Sequence, residues 1–155
     1  MPRETVIVAS PLGSLAIAAA DDAIVTLDWV DSEPDKPNEQ TPLLTEAALQ
    51  LTAYFAERGF AFDLPLAPAG TPFDRAVWDQ MLKTPSGTVR TYGDVAKATD
   101  HPAQAVGAAC GRNPIPIIIP CHRIVGAGGR MTGYSGKGGV ETKQWLLRHE
   151  GALLL

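Results

Sequence analysis

The sequence predicts an α+β protein in two parts: a small antiparallel sheet with a helix, then a mostly helical part containing a helix-turn-helix. Three observations support this class. Short apolar runs separated by turn residues open the chain, a segment with helical spacing follows them, and Thr-x-x-Asp pairs at residues 71–74 and 91–94 mark later helix starts. We expect the boundary near residues 67–70, giving domains at residues 1–67 and 71–155.

The first part is predicted from its apolar runs. "TVIVAS" and "SLAIAAA" flank "PLG", and a Pro and a Gly between strand-like runs indicate a hairpin. "AIVTLDWV" predicts a third strand, and the polar "DSEPDKPNEQ" predicts a loop. "TPLLTEAALQLTAYFAERG" has helical spacing and stops at Gly59, a residue type favoured just after a helix. "FAFDLPLAPAG" is an extended piece that leads into the linker.

The second part is predicted from its capping residues. In "TPFDRAVWDQMLKTPSG", Thr71 can cap a helix that ends at the "PSG" of residues 85–87. "TYGDVAKAT" and "AQAVGAACG" are two short helices joined by "DHP", which makes them a helix-turn-helix candidate. "IPIIIPCHRIV" then predicts a buried extended segment, "GAGGRMTGYSGKGG" a glycine-rich loop, and "VETKQWLLRHEG" a final amphipathic helix.

Charge is distributed unevenly within a total of −4. Residues 1–70 hold three Lys and Arg against eleven Asp and Glu, whereas residues 71–155 hold ten against six. The basic second half is a candidate polyanion surface, and chance clustering of solvated charge is the alternative. No apolar run approaches the roughly 20 residues that span a membrane, and the start lacks a signal-peptide core. The cytoplasm is therefore the expected compartment, with both cysteines as free thiols.

The Cys-His-Arg triplet at residues 121–123 is the strongest candidate for chemistry. A cysteine in an apolar run is often structural. Here proline precedes Cys121 and two basic groups follow, and nearby positive charge lowers a thiol pKa and favours the thiolate. Neighbours in an extended chain point to opposite faces, so His122 needs a turn or a water to reach the sulfur. Glu150 can orient the imidazole, or it can be a solvated carboxylate at a helix end.

Metal and phosphate sites are not predicted. The candidate ligands show no Cys-x-x-Cys or His-x-x-x-His spacing; they are His101, Cys110, Cys121, His122 and His149. The glycine-rich loop lacks the phosphate-loop order, because Gly138 follows Lys137 where that order has Ser or Thr. A lid beside the thiol is the preferred interpretation of this loop.

Three stretches carry a resemblance to a known family. "NPIPIIIPCHRIVG" resembles the active-site signature of the O6-alkylguanine-DNA alkyltransferases, the methylated-DNA–protein-cysteine methyltransferases. "TPFDRAVWDQMLKTPSGTVRTYGDVA" and "GYSGKGGVETKQWLLRHEG" are similar to its helix-turn-helix entry and its closing helix, so the match covers residues 71–151. The resemblance implies a ribonuclease H-like first domain and a winged-helix-like second domain. It also implies a monomer without a cofactor.

The resemblance implies a suicide reaction on double-stranded DNA. The protein binds the minor groove and flips an O6-alkylguanine out of the stack, with O4-alkylthymine as a further substrate to consider. The thiolate of Cys121 attacks the alkyl carbon and keeps the alkyl group. His122 activates Cys121 through a water, Glu150 orients His122, and the Tyr92 hydroxyl donates to the leaving base.

The resemblance also implies a set of substrate contacts. The backbone amide of Ser135 faces O6, and the carbonyls of Cys121 and Ile124 accept the exocyclic amine. Tyr134 forms a wall of the pocket. Asn113 holds the turn that presents the thiol.

The implied DNA contacts contain one departure from the family pattern. Gln104 in "QAVGAAC" stands where the family usually has an arginine that fills the place of the flipped base. Gln can bond the orphaned cytosine but lacks charge and a stacking guanidinium. Arg112 and Arg123 are candidate phosphate contacts, with surface solvation as the alternative.

Two other functions are compatible with parts of the sequence. A lesion-binding, non-transferring relative is one, and Gln104 keeps it under consideration although Cys121 argues against it. A Cys/His hydrolase or thiol-redox protein is the other, and it leaves the helix-turn-helix and the basic half unexplained.

Overall fold

The computed structural model describes residues 3–35, 40–131, 133–134 and 136–152. The chain divides into two compact units, Met1–Ala69 and Gly70–Leu155. Among the described residues, the first unit holds a sheet and a helix, and the second holds four helices and a short strand pair. The predicted α+β class is confirmed.

The sheet of the first unit has three antiparallel strands in the order β1-β2-β3. They are β1 (Glu4–Val8), β2 (Ser14–Ala20) and β3 (Ala23–Val30). Strand β2 is central, so its backbone is paired along both edges, and most of its residues are buried. Asp21 and Asp22 connect β2 to β3 with φ angles of 50° and 63°, the pair of positive values that a tight hairpin turn requires.

One helix of the first unit contacts β1 and β2. Helix α1 (Pro42–Ala56) begins where the Thr41 hydroxyl accepts the Leu44 N–H, and it ends three residues before the predicted Gly59. Its buried apolar residues, Leu44, Ala47, Leu51 and Tyr54, follow helical spacing and form the face towards the core. In the extended piece after α1, the Pro65 carbonyl accepts the Ile24 N–H and the Ala67 N–H donates to the Ile24 carbonyl. These two bonds add the piece to the edge of β3.

The second unit begins with three helices that start as predicted. Helices α2 (Pro72–Leu82) and α3 (Tyr92–Thr99) each have a capping box, at Thr71 and Asp74 and at Thr91 and Asp94. Helix α2 ends at Leu82, ahead of the predicted "PSG". Helix α4 (Ala103–Gly111) follows a turn in which Asp100 has a φ of 56°. Helices α3 and α4 form the predicted helix-turn-helix.

A parallel strand pair brings the start of α3 to the Cys-His-Arg segment. The segment forms a short 3₁₀ turn, Cys121–Arg123, that leads into β5 (Ile124–Val125), and β5 pairs with β4 (Arg90–Thr91). A second 3₁₀ turn, Ala127–Gly129, lies in the glycine-rich stretch, and α5 (Gly139–Glu150) follows it. Because Tyr92 comes directly after β4, this pairing positions it beside the reactive segment.

Candidate active site

The segment before the thiol is buried, as predicted, but it contains a strained turn where the sequence predicts an extended segment. Ile117 has a φ of 73°, in the left-handed region that β-branched residues avoid. The N–H of Ile118 donates to the carbonyl of Pro116 at 2.9 Å and closes the turn. Such backbone strain costs about 1–3 kcal/mol and persists only where the surroundings impose it. Here the fully buried Ile117 side chain anchors the turn in the core.

A second turn and one buried amide hold the thiol residue itself. Pro120 has φ −82° and ψ 69°, the geometry of an inverse γ-turn, and the N–H of Cys121 donates across it to Ile119 at 2.8 Å. The Nδ2 of Asn113 donates to the same Ile119 carbonyl at 2.9 Å, while its Oδ1 accepts the Ile115 N–H at 3.0 Å. Asn113 therefore lies where the resemblance implies, bonding both ends of the turn.

Cys121 is a buried, protonated thiol at rest. Burial raises the pKa of its thiol; a hydrogen bond from Asn113, the positive charge of Lys143 and nearby backbone N–H groups oppose this effect without reversing it. The expected lowering of the thiol pKa by the two basic neighbours in sequence is not seen in this state: desolvation is the largest effect, and the opposing positive charge comes from Lys143. A base must therefore remove the proton when the sulfur reacts.

His122 and Glu150, which are 28 positions apart in sequence, form a buried pair. The Nε2 of His122 lies 2.7 Å from Oε2 of Glu150. Burial lowers the pKa of His122, although Glu150 opposes the shift, so the imidazole is neutral at physiological pH. A neutral ring beside an ionised carboxylate carries its proton on Nε2, which leaves Nδ1 as the basic atom. Nδ1 is buried and has no hydrogen-bond partner among the described residues.

Glu150 remains ionised because two donors compensate for its burial. Burial alone would raise the pKa of its carboxyl, but hydrogen bonds from His122 and Arg123 lower it to about 2. The solvated helix-end alternative is therefore wrong for Glu150, whose side chain is buried at the end of α5.

Arg123 supports this carboxylate, and its predicted phosphate contact is not compatible with the structure. Its Nε donates to Oε1 of Glu150 at 2.9 Å, its Nη2 to Oε2 at 3.0 Å, and its Nη1 to the Thr84 carbonyl at 2.7 Å. The side chain is only 10% exposed, so the guanidinium is directed into the protein. A bidentate ion pair of this kind fixes the position of the Glu150 carboxylate, which in turn orients His122.

A cavity of about 280 Å³ opens onto the thiol. It is lined by Tyr92, Gly107, Cys110, Gly111, Cys121, Gly133 and Tyr134. Its volume is close to the lower end of the range for small-molecule sites, roughly 300–1,000 Å³. Two aromatic rings and three glycines leave space for a flat group beside the sulfur.

The predicted substrate contacts lie around this cavity to different degrees. Tyr92 and Tyr134 line it, and burial raises the pKa of Tyr134 well above its usual value, with the nearby Cys121 and Glu150 adding to the effect. Ile124 is buried in β5, close in sequence to the thiol. Ser135 lies outside the described residues.

Models of two protein families match the chain. The DNA-binding domain of 6-O-methylguanine DNA methyltransferase matches residues 72–152, and the ribonuclease-like domain of the same protein matches residues 4–68. The chain belongs to the 6-O-methylguanine DNA methyltransferase family.

Relatives and solved structures of this methyltransferase family cover the chain almost end to end. A Bacillus subtilis constitutive methylated-DNA–protein-cysteine methyltransferase is 42% identical over 91% of both chains, and a Methanosarcina acetivorans relative is 40% identical over 92% of this chain and 95% of its own. The Mycobacterium tuberculosis O6-methylguanine methyltransferase structure has a TM-score of 0.82 at 36% identity, covering 97% of this chain and 94% of that one. A complex of the M. tuberculosis protein with DNA has a TM-score of 0.79 at 37% identity, covering 97% and 92%.

The candidate DNA contacts of this methyltransferase-family chain differ in exposure. Gln104 is exposed in the first turn of α4. The Arg112 side chain is 52% exposed although its Nε and Nη2 donate to Oδ1 of Asp74 at 3.0 and 2.6 Å. Both therefore remain candidates for contacts with DNA.

Two residues that the sequence interpretation left unused lie at the site. Cys110 lines the cavity from α4, and Lys143 is buried beside Tyr92, with 5.8 Å between its Nζ and the ring centroid. A signal for Lys143 existed: Lys143, Leu146 and Glu150 follow i, i+3, i+7 spacing, which puts the lysine on the buried face of α5.

The described part of the chain holds no group of three or more His, Cys, Asp or Glu side chains that could bind a metal ion. No helix in that part is long and apolar enough to cross a membrane.

Proposed function

We propose that this protein repairs DNA by transferring the alkyl group of O6-alkylguanine to the sulfur of its own Cys121. The observation that carries the proposal is a thiol that lines a cavity and is followed in the chain by a buried, neutral histidine held by Glu150. Membership of the methyltransferase family and the likeness to a relative in complex with DNA support it. Double-stranded DNA is the partner, and a single protein chain carries all the groups the reaction needs.

The reaction is a displacement in which the proton of the Cys121 thiol ends on the guanine base that leaves. The Nδ1 of His122 accepts the Cys121 proton through a bridging water, and the sulfur attacks the alkyl carbon as its bond to O6 breaks. The electron pair of that bond goes to the base, whose negative charge is met by the Tyr92 hydroxyl. Guanine leaves after gaining one proton, and the protein keeps a thioether. A thioether is not hydrolysed, so each molecule reacts once.

The cavity residues supply recognition in this proposal. Tyr134 covers the flat face of the base, and the backbone carbonyls of Cys121 and Ile124 accept its exocyclic amine. The backbone amide of Ser135 faces O6, by resemblance. Asn113 keeps the sulfur at a fixed position, since it bonds both ends of the turn before Cys121.

The flipped base enters the cavity from the minor groove in this proposal. Helix α4 faces the groove, Gln104 lies at the place of the missing base, and Arg112 contacts phosphate through its exposed edge. The small residues of α4, Gly107 and Gly111, line the cavity and leave room for the base. We place this repair in the cytoplasm, where reducing conditions keep the thiol free.

A mass measurement tests the proposal. The protein is mixed with duplex DNA containing one O6-methylguanine, at increasing DNA-to-protein ratios, and the intact mass is recorded. We expect a gain of one methyl group per chain that reaches a plateau at equimolar DNA, and no gain with unmodified duplex. Binding to the methylated duplex without any gain in mass would instead support the lesion-binding alternative, which the family names of the relatives do not favour.

A further inference from the structure

Asp74 is a buried carboxylate whose contact with Arg112 is not explained by the start of its own helix. Its side chain is 4% exposed and lies in the first turn of α2. One oxygen, Oδ2, accepts the Thr71 N–H at 3.2 Å and completes the capping box of the helix. The other oxygen, Oδ1, accepts bonds from Nε and Nη2 of Arg112 at 3.0 and 2.6 Å. The capping box accounts for Oδ2, so the arginine on Oδ1 needs a separate reason.

A second contact between α2 and the end of α4 keeps this ion pair in place. Trp78 lies one turn after Asp74 in α2, and its Nε1 donates to the Ala109 carbonyl of α4 in a buried bond of 2.9 Å. Arg112 directly follows α4, so this bond fixes the backbone from which its side chain extends. The pair is therefore part of the packing of two helices, unlike an ion pair between two mobile surface side chains, which contributes little.

Arg112 keeps one edge of its guanidinium for a group outside the protein. Asp74 receives the edge formed by Nε and Nη2, while the side chain as a whole is 52% exposed. The Nη1 atom carries two further N–H groups in the same plane, which can donate to a phosphate. Arg112 comes eight residues after Gln104, which places it about 12 Å further along α4, the helix proposed to face DNA.

The ion pair removes the net charge on which attraction to phosphate depends. A hydrogen bond from Arg112 lowers the pKa of the Asp74 carboxyl, and the same bond raises the pKa of Arg112, so both groups are ionised at physiological pH. An arginine that neutralises a phosphate releases counterions from the DNA, which is the source of most non-specific affinity. An arginine already paired with a carboxylate brings no net charge to the phosphate.

We propose that Asp74 limits the affinity of this protein for the DNA backbone: its buried carboxylate holds Arg112 in a neutral ion pair, so the exposed edge of the guanidinium contacts phosphate only weakly. This inference rests on the proposed binding of DNA by α4. Phosphate contacts are the same at every sequence and carry no information about a lesion. Weakening one of them favours release from unmodified DNA and leaves recognition to the base that enters the cavity.

Asp74→Asn tests the inference, because it removes the charge and keeps the shape of the side chain. Binding to a fluorescein-labelled duplex without any alkylated base is measured by fluorescence anisotropy over a series of salt concentrations. At about 50 mM salt we expect the Kd to fall about threefold to tenfold, and the slope of log Kd against log salt to steepen by about 0.9, the value for one additional phosphate. Asp74→Asn combined with Arg112→Met should lose this gain, because no arginine is then released.

Asp79→Asn is the matched control for net charge. Asp79 also lies on α2 and pairs with a basic side chain, Lys83, at 3.2 Å, so the variant changes the charge by the same amount and also releases a cation. Both of these side chains are exposed, and salt screens such a pair. We expect the Kd of Asp79→Asn to stay within about twofold of the parent's at the same salt concentration.

A second variant covers the case in which Asp74→Asn does not fold. Asp74→Gln also removes the charge, and glutamine at the third position of a helix can complete a capping box. Folded Asp74 variants that bind no more tightly than the parent overturn the inference, as does an equal gain in Asp79→Asn or a gain that persists without Arg112. If those results come with a parent that binds methylated duplex and gains a methyl group, the proposed function stands. A parent that binds neither duplex overturns the proposed function and this inference with it.

Discussion

Two thiols, those of Cys110 and Cys121, line one cavity, and the backbone structure that holds each of them differs. Cys110 lies on the regular helix α4, where burial, with a smaller effect of Cys121, raises its pKa to about 12. Cys121 follows two tight turns, receives a hydrogen bond from Asn113 and is followed by His122. Both are buried, so burial does not distinguish them. We infer that the two turns before Cys121 and the histidine after it, and not burial, make this cysteine the reactive one.

Exchanging each thiol for a hydroxyl tests this contrast and has the largest expected effect. Cys121→Ser should lose methyl transfer completely, because a serine hydroxyl is a far weaker nucleophile than a thiol. Cys110→Ser should keep a stoichiometric methyl gain. Intact mass after incubation with methylated duplex measures both. A methyl gain in Cys121→Ser would show that Cys110, or another group, accepts the alkyl group.

Removing the imidazole of His122, the proposed general base, should make Cys121 resemble Cys110 in reactivity. We expect His122→Gln to lower the transfer rate roughly 10²–10⁴-fold at neutral pH, the usual contribution of a positioned general base. Single-turnover kinetics with methylated duplex measure the change. His101→Gln is the matched control, since His101 is an exposed histidine of the same unit. If His122→Gln reacts at the parent's rate, His122 does not take the proton.

The carboxylate that holds His122, the residue after Cys121, should give the fold a pH dependence. The pKa of Glu150 is lowered from 4.5 to about 2, so the stability it contributes is present above pH 4.5 and is lost as pH falls towards 2. The loss is about 3 kcal/mol, since one pKa unit corresponds to about 1.4 kcal/mol. Urea unfolding at several pH values measures it.

Glu150→Gln is the control for that pH dependence. It should be less stable at pH 7 by about 3–5 kcal/mol, because Arg123 is then buried without its anion. Its free energy of unfolding should also change less between pH 4.5 and 2 than that of the parent. Identical slopes in the two proteins would assign the acid sensitivity to other carboxylates.

The smallest expected effect concerns base flipping, the step that precedes contact between the alkylated base and either thiol. Gln104→Arg adds charge and a stacking plane at the start of α4. We expect the transfer rate from methylated duplex to rise roughly twofold to fivefold, equivalent to about 0.5–1 kcal/mol. Transfer from free O6-methylguanine should not change. An unchanged duplex rate means that this side chain does not limit base flipping.

The contrast also shows what the sequence can and cannot reveal. The capping boxes at Thr71 and Thr91 were predicted because their bonds span only three residues. The φ of Ile117 was not, because β-branched residues disfavour that conformation and only the packed core imposes it. The Arg123 side chain is directed into the protein by Glu150, 27 positions away in the chain, and by the Thr84 carbonyl. No local sequence pattern reveals these contacts.

In the proposed reaction the alkyl group goes to Cys121 and not to Cys110, its neighbour in the same cavity. The most direct test is peptide mapping of the unmodified protein after reaction with duplex DNA that carries an isotope-labelled methyl group on O6 of guanine. We predict one labelled methyl on the peptide containing Cys121 and none on the peptide containing Cys110. Label on Cys110, or a folded protein that binds the methylated duplex and gains no label, would contradict the account.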